Sequence, residues 1–448
     1  MSGLFSGIFA RGAVEAEVDD SAWLRALLDA EAALARAQAR VGLIEEAHAE
    51  AITAACVPKN VDAAAIGRDA AKSGNPVVPL VARLTRVVGG SAARHVHKGA
   101  TSQDIMDTAA MLVARRAGAV IGGDTSAAAD VLAGLADGHR GTIMAGRTLL
   151  QQALPTTFGA VAAGWLHGLD TASQRLGDLL GRRAAVQLGG AAGTLASLGG
   201  DGPRVVAAFA AELGLAEPEL PWHTDRGRIA ELAGALAQVC GAAGKAAGDI
   251  VLLAQTEVGE VTEEGGAGVG GSSTLPHKRN PVAAVSALAC AEQAPGLASG
   301  LFAAQIQQHQ RAAGPWQAEW LPMTHLLRAT GSAAAWLRTS VERLRVHPRR
   351  MRANLDLTGG FPLAERVTTD LAGELGRLPA HELVQGACAA AADTGRDLAE
   401  VLTERLSGRR TASEIAALLD PAGYLGSTPL FVDRVLAAHR GGKRENEE

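Results

Sequence analysis

The sequence predicts an all-α protein, and three observations carry that prediction. Of its 448 residues, 48% are apolar but only 3% aromatic, and alanine is abundant. Small side chains favour closely packed helices over sheets, which draw on β-branched and aromatic residues. Five long segments, about 104 to 138, 156 to 186, 226 to 262, 281 to 311 and 316 to 345, carry few helix breakers. At ~30 residues and ~45 Å each, they exceed the globular average of ~11 residues and describe an elongated bundle.

Residues 1–110 read as a small helical N-terminal domain. From Ser21 to Gly42, Trp23, Leu27, Leu34 and Val41 recur at helical spacing, with Asp29, Glu31 and Arg36 on other faces. A second helix around 62–72 is stopped by Ser73-Gly74-Asn75-Pro76, and another runs over 79–88. The long segments make a central bundle, 111–352. Their apolar stripes are wider than one core needs, which predicts association with identical copies. Shorter helices follow in a C-terminal domain, 353–448, whose charged end from Gly441 to Glu448 is expected to be unstructured.

A formal net charge of −5, from 42 basic and 47 acidic residues, leaves no polycationic face for nucleic acid and no basic anchor for a membrane. No uninterrupted apolar run reaches the ~18 residues a membrane span needs. Cys56, Cys240, Cys290 and Cys388 lie far apart without a Cys-x-x-Cys pair, so neither a zinc site nor a disulfide framework is expected. The first twenty residues lack the pattern of a secretory signal, and a cytoplasmic location is the expectation.

Three polar clusters interrupt the apolar bundle. In the first, His95-Val-His97-Lys-Gly99-Ala-Thr101-Ser102-Gln103-Asp104, Thr101 and Ser102 can cap the following helix, whose amino end favours a carboxylate. The second, Gly146-Arg147-Thr148-Leu149-Leu150-Gln151-Gln152, sets a guanidinium among neutral donors, and arginine suits bidentate carboxylate binding. The third, Gly270 to Pro281, packs hydroxyls, a lysine and an asparagine into a turn-rich loop suited to an oxyanion or carboxylate. His95 and His97 lack a third ligand at metal spacing, so no metal is expected. Gly189-Gly190-Ala-Ala-Gly193 lacks the preceding strand of a dinucleotide site and reads as close helix packing or substrate approach, so no cofactor is expected either.

Taken together, the three clusters resemble the fumarase/aspartase superfamily. Its Gly-Ser-Ser-x-Met-Pro-x-Lys-x-Asn signature is matched by Gly271-Ser272-Ser273-Thr274-Leu275-Pro276-His277-Lys278-Arg279-Asn280, departing at Leu275, and the other clusters fall in the superfamily's order. Within it the chain is similar to the bacterial 3-carboxy-cis,cis-muconate cycloisomerase family. The shared stretches include Glu31-Ala-Ala-Leu-Ala, Ser73 to Val81, Pro221 to Arg226, Trp316 to Trp320, Asn354 to Thr358 and Leu419 to Gly426. Adenylosuccinate lyase is the competing resemblance. Its Arg-Thr-His becomes Arg147-Thr148-Leu149 here, and its Arg-His-Asp turn meets Gly74-Asn75-Pro76, so the imidazoles that lyase relies on are missing.

The resemblance implies lactonization of a tricarboxylate, 3-carboxy-cis,cis-muconate, in the protocatechuate branch of aromatic degradation, by a homotetramer whose sites draw one cluster from each of three subunits. It also implies roles for particular residues. Ser272 takes the position of the superfamily's catalytic serine, with Lys278 and Asn280 on the carboxylate where negative charge grows. Thr101, Ser102, Arg147, Thr148 and Gln151 are expected to bind substrate, with His277 and Arg311 weaker candidates. His97 is an alternative proton carrier to Ser272, with the role of a hydrogen-bonded structural histidine favoured.

Overall fold

The structure is a computed structural model that describes residues 3–265, 270–271, 274–275 and 277–447. Two of the N-terminal helices begin and end where the sequence supplies caps. Asp20–Val41 starts where the Asp19 carboxylate accepts from the Ala22 N–H at 2.8 Å, and it ends at Gly42 with φ +88°. Ala63–Ser73 is capped by Asp62 and closed by Gly74 at φ +72°, and Val77–Val88 follows. The long helices are Ser102–Gly138, Phe158–Arg183, Gly227–Leu253 and Pro315–Glu342.

Four expectations about helices and strands need correction. The segment 281 to 311 is two ten-residue helices, Val282–Ala291 and Ala294–Ala303. Pro295 explains the break, because it has no N–H to donate and its ring opposes the carbonyl four residues back. The segment 226 to 262 stops at Leu253, and Val261–Glu263 pairs antiparallel with Leu344–Val346. A hairpin of Ile143–Thr148 and Gln151–Thr157 precedes the Phe158–Arg183 helix where no strand was expected. The last helix, Thr428–Glu447, takes in most of the tail read as unstructured; extending a formed helix needs only one more residue fixed per added bond.

Two compact units contain these elements, residues 1–126, 171–244 and 286–338 in the first, and 127–170, 245–285 and 339–448 in the second. In the first, Asp20–Val41 packs on Gly202–Leu213, burying Leu28, Leu34 and Phe209. Glu31 is buried with them, not on a polar face as expected. Its position follows from helical geometry, since it lies four residues after Leu27 and three before Leu34 and so shares their stripe. In the second unit, the C-terminal helices close on Val367, Leu371, Val384, Leu402 and Ile415.

Ser102–Gly138 and Gly227–Leu253 are long and apolar enough to cross a membrane by length and composition. In the first of them, the Arg115 guanidinium donates to the Leu213 carbonyl at 2.9 Å and that of Arg116 to the Asp29 carboxylate at 2.7 Å. Such polar ties to neighbouring protein suit a helix packed within a protein interior.

Candidate active site

The first unit builds its polar centre on Asp104, in the opening turn of the Ser102–Gly138 helix. One carboxylate oxygen accepts from the Gly189 N–H at 3.0 Å and lies 2.6 Å from His223 Nε2. The other accepts from the Thr101 N–H at 2.9 Å and the Gly190 N–H at 3.0 Å. The helix is thus capped through Asp104 reaching back to the residue before it, half of a capping box, rather than through the Thr101 or Ser102 hydroxyl. The glycines expected to allow close helix packing or substrate approach meet a neighbouring loop instead: a Cβ on Gly189 would meet His223 Cε1 at 2.6 Å, and Gly190 has φ +67°. Arg311 donates to the Gly190 and Ala191 carbonyls, so its guanidinium braces the same turn. Partial burial lowers its pKa, against the pull of Asp104 and Asp107.

One helical turn deeper, Arg226 bridges two carboxylates in a site closed to water. Its guanidinium donates to Asp107 at 2.8 and 3.1 Å and to Glu319 at 2.6 to 3.2 Å. Trp316 Nε1 and Gln103 Nε2 also donate to Asp107, and Gln307 Nε2 to Glu319. Burial raises the Glu319 pKa even against its partner Arg226. The network fixes the rotation of the Ser102–Gly138 helix about its axis and so aims its amino end.

His97 stands beside that amino end, with φ +58°, a conformation sparsely used by non-glycine residues. Its Nδ1 lies 2.6 Å from the Glu31 carboxylate, whose side chain is fully buried. Burial opposes the charged imidazole, but Glu31 and Asp104 outweigh it and raise the His97 pKa.

The second unit holds the other two clusters. Arg147 does suit a bidentate carboxylate, but here that carboxylate is the protein's own. Its guanidinium donates to Glu260 at 2.6 and 3.0 Å, with Glu260 fully buried and also held by Asn354 Nδ2 at 2.8 Å. Gln152 Nε2 donates to the Asn354 carbonyl at 2.7 Å. These ties brace both strands of the hairpin, whose tip, Thr148, Leu149, Leu150 and Gln151, is exposed. Leu149 and Leu150 have φ +51° and +64°, and Leu149 is 97% exposed.

The third cluster is pinned at its stems. Glu263 accepts from the N–H groups of Ala283 and Ala284 at 3.0 and 2.7 Å and from the Ser340 hydroxyl at 2.6 Å. Within it, the Asn280 backbone and side chain both donate to the Gly270 carbonyl, at 2.9 and 3.2 Å, and Gly271 bridges to Arg279. A Cβ on Gly270, at φ +72°, would meet the Asn280 carbonyl at 2.7 Å, so glycine is required there. His277 and Lys278 are exposed. Ser272 lies outside the described residues.

His97, Thr101 and Ser102 lie on one segment of the first unit, and Arg311 reaches the Gly190 turn that Asp104 also holds. Sequence reasoning gave no role to Glu31, Asp107, His223, Arg226, Glu260 or Glu319. The available signal was charge on apolar stripes, since a carboxylate at a core position needs a buried partner. Among the described residues, no group of three His, Cys, Asp or Glu could hold a metal ion.

Comparison with known proteins agrees with this architecture. Residues 9–296 match the lyase family, and residues 360–435 match the adenylosuccinate lyase C-terminus. The chain is 46% identical to 3-carboxy-cis,cis-muconate cycloisomerase of Bradyrhizobium diazoefficiens, over 97% of this chain and 98% of the relative. It is 47% identical to nitrosuccinate lyase of Streptomyces davaonensis, over 97% of this chain and 94% of the relative. The crystal structure of 3-carboxy-cis,cis-muconate lactonizing enzyme from Pseudomonas putida superposes with TM-score 0.92 at 43% identity, over 98% of this chain and 99% of that one. The chain belongs to the lyase family, the fumarase/aspartase superfamily that its three clusters resemble.

Proposed function

We propose that this chain is a cycloisomerase that lactonizes 3-carboxy-cis,cis-muconate. The observation that carries the reading is Leu149 at the tip of the second-cluster hairpin, where a lyase of the adenylosuccinate type places an imidazole. A leucine there removes one acid/base group from a two-histidine elimination, yet lactonization asks less of the enzyme. The nucleophile is a carboxylate of the substrate itself. What the protein supplies is folding of the diene, stabilisation of the anion, and one proton.

In this reading, Lys278 and Asn280 hold the carboxylate on which negative charge grows. The hydroxyls of Thr101 and Ser102, free of capping duty, bind a second carboxylate at the amino end of the long helix. Thr148 and Gln151 offer neutral donors at the hairpin tip. Neutral donors matter for a trianion, because an equal number of cations would have to be buried in the empty site. Arg147, committed to Glu260, shapes that tip; Arg311 adds positive charge near the Gly190 turn. Ser272 stands at the position of the superfamily's catalytic serine, and a Ser272→Ala chain with full turnover would remove it from any catalytic role. Copies of the chain assemble as a tetramer, in keeping with exposed Leu252, Val285, Phe302, Ile306 and Leu321.

A second reading, β-elimination from a substituted succinate, is favoured by the equal similarity to nitrosuccinate lyase. Purified protein, treated with EDTA and offered 3-carboxy-cis,cis-muconate, decides between them. Rapid loss of diene absorbance is the expected result. Persistence of the muconate, with fumarate released from nitrosuccinate or adenylosuccinate, would replace the first reading by the second.

A further inference from the structure

We infer that Glu31 is a positioning residue that holds His97 through Nδ1 and leaves Nε2–H as its mobile proton, and that this imidazolium delivers the proton of the reaction. The inference rests on the cycloisomerase reading for the identity of the step it serves. Three geometric facts carry it. The Glu31 side chain is fully buried, and its contact to His97 Nδ1 is 2.6 Å. Among the described residues its other oxygen, Oε2, is buried with no hydrogen-bond partner, so His97 is the group that offsets its burial. His97 also sits at φ +58° and is fixed on its carboxyl side, where Gln38 Nε2 donates to the Lys98 carbonyl at 2.6 Å and Lys98 Nζ to the Leu43 carbonyl at 3.1 Å. A packing histidine needs neither a strained backbone nor an otherwise unpartnered carboxylate.

With Nδ1 committed to Glu31, Nε2 is the nitrogen left to carry a mobile proton. The charged and titratable groups around the pair are Asp104, from the long helix, and the Cys56 thiol, which burial and Glu31 push up to about 12 and which stays neutral. Asp29 and Arg36, on the helix of Glu31, act on Cys56 with opposite sign. The negative groups facing His97 therefore favour its protonated form.

The step balances as follows. A terminal carboxylate oxygen of the substrate forms the new C–O bond to the carbon bearing the 3-carboxyl. The alkene π pair moves to the neighbouring carbon and its carboxylate. The His97 Nε2–H bond then breaks, its electron pair stays on nitrogen, and the proton forms the new C–H bond. Neutral imidazole regains a proton from water.

The test compares wild type, Glu31→Gln, Glu31→Asp, His97→Asn and Ser272→Ala, as full-length assemblies, by turnover of carboxymuconate against pH. Melting temperature and elution volume are checked for each. Wild-type kcat should fall on the alkaline side as His97 loses its proton. Glu31→Gln should move that limb to lower pH by about one to two units, the worth of a charge-assisted hydrogen bond. Glu31→Asp, with a longer contact, should move it less, and this variant carries the test if Glu31→Gln does not fold. His97→Asn should lower kcat by ~10²–10⁴. An unmoved limb in a folded Glu31→Gln or Glu31→Asp overturns the inference. So does a raised KM with kcat and limb unchanged, which would make His97 an anion holder, or a limb abolished by Ser272→Ala alone. If wild type leaves the muconate intact but eliminates from a substituted succinate, the cycloisomerase reading fails by itself. Neutral His97 is then the base, and Glu31→Gln should move the acid limb to lower pH.

Discussion

Replacing Arg226 by methionine should make the stability of this protein steeply dependent on pH, and the size follows from the buried network. Arg226 faces Asp107 and Glu319. Methionine fills much of its volume but leaves two carboxylates with neutral donors only, from Gln103, Trp316 and Gln307. Two such anions in a dry site do not both stay ionised; one takes up a proton. An unfolded glutamate titrates near ~4.3, so holding one protonated at pH 7 costs roughly 2.7 pH units at 1.36 kcal/mol each, or about 4 kcal/mol. That agrees with the ~3–5 kcal/mol found on breaking buried ion pairs. At pH 5 the same cost is only about 1 kcal/mol. The sign is that of a carboxyl whose folded pKa lies above its unfolded one: the folded variant binds the extra proton, and stability falls as pH rises above the ordinary glutamate range. Urea unfolding of both proteins at pH 5, 6 and 7, at equal protein concentration, should give a difference growing by about 1.4 kcal/mol per pH unit. A difference that is flat with pH would refute this account of the network.

Two further outcomes follow from local geometry. Leu149-Leu150→Asn-Gly supplies the residues that a two-residue turn with both φ values positive prefers, and relieving two left-handed leucines at ~1–2 kcal/mol each should stabilise the hairpin by about 2 kcal/mol. Calorimetry should show a higher Tm together with a lower kcat/KM, and an unchanged Tm would mean the turn is not strained. Burial pushes the Cys56 and Cys290 thiols up to about 12 and Cys240 to about 11, so iodoacetamide at pH 8 should modify them far more slowly than Cys388, as read by mass spectrometry of native protein. Fast labelling of the first three would contradict their burial.

The sequence made helices legible wherever period and caps agreed, as at Asp19, Gly42, Asp62 and Gly74. It concealed the 143–157 hairpin, because a turn of two leucines carries none of the Asn or Gly chemistry that marks one, and its strands are bound by tertiary ties through Glu260 and Asn354. The break at Pro295 is a single local signal inside a stretch whose overall apolar character reads as one helix. For the site, motif residues were legible and their partners were not. Arg147 reads as a carboxylate binder, but nothing local says that the carboxylate is Glu260, 113 positions away. Glu31 was legible in principle, since a charge in register with Leu27 and Leu34 cannot face water.

The clamp formed by Glu263 has a consequence for how such an enzyme can diversify. By holding the Val261–Glu263 strand to the start of the Val282–Ala291 helix, it settles the separation of the third cluster's two ends independently of what lies between them. Closing a loop costs only ~0.6 kcal/mol more for each doubling of its length. Changes between Glu264 and Pro281 that spare Gly270 and its bonds to Asn280 therefore leave the frame standing, and the chemistry of the described positions can be varied at small thermodynamic risk. A substitution at Glu263 itself would convert every such trial into a question of whether the ends still meet.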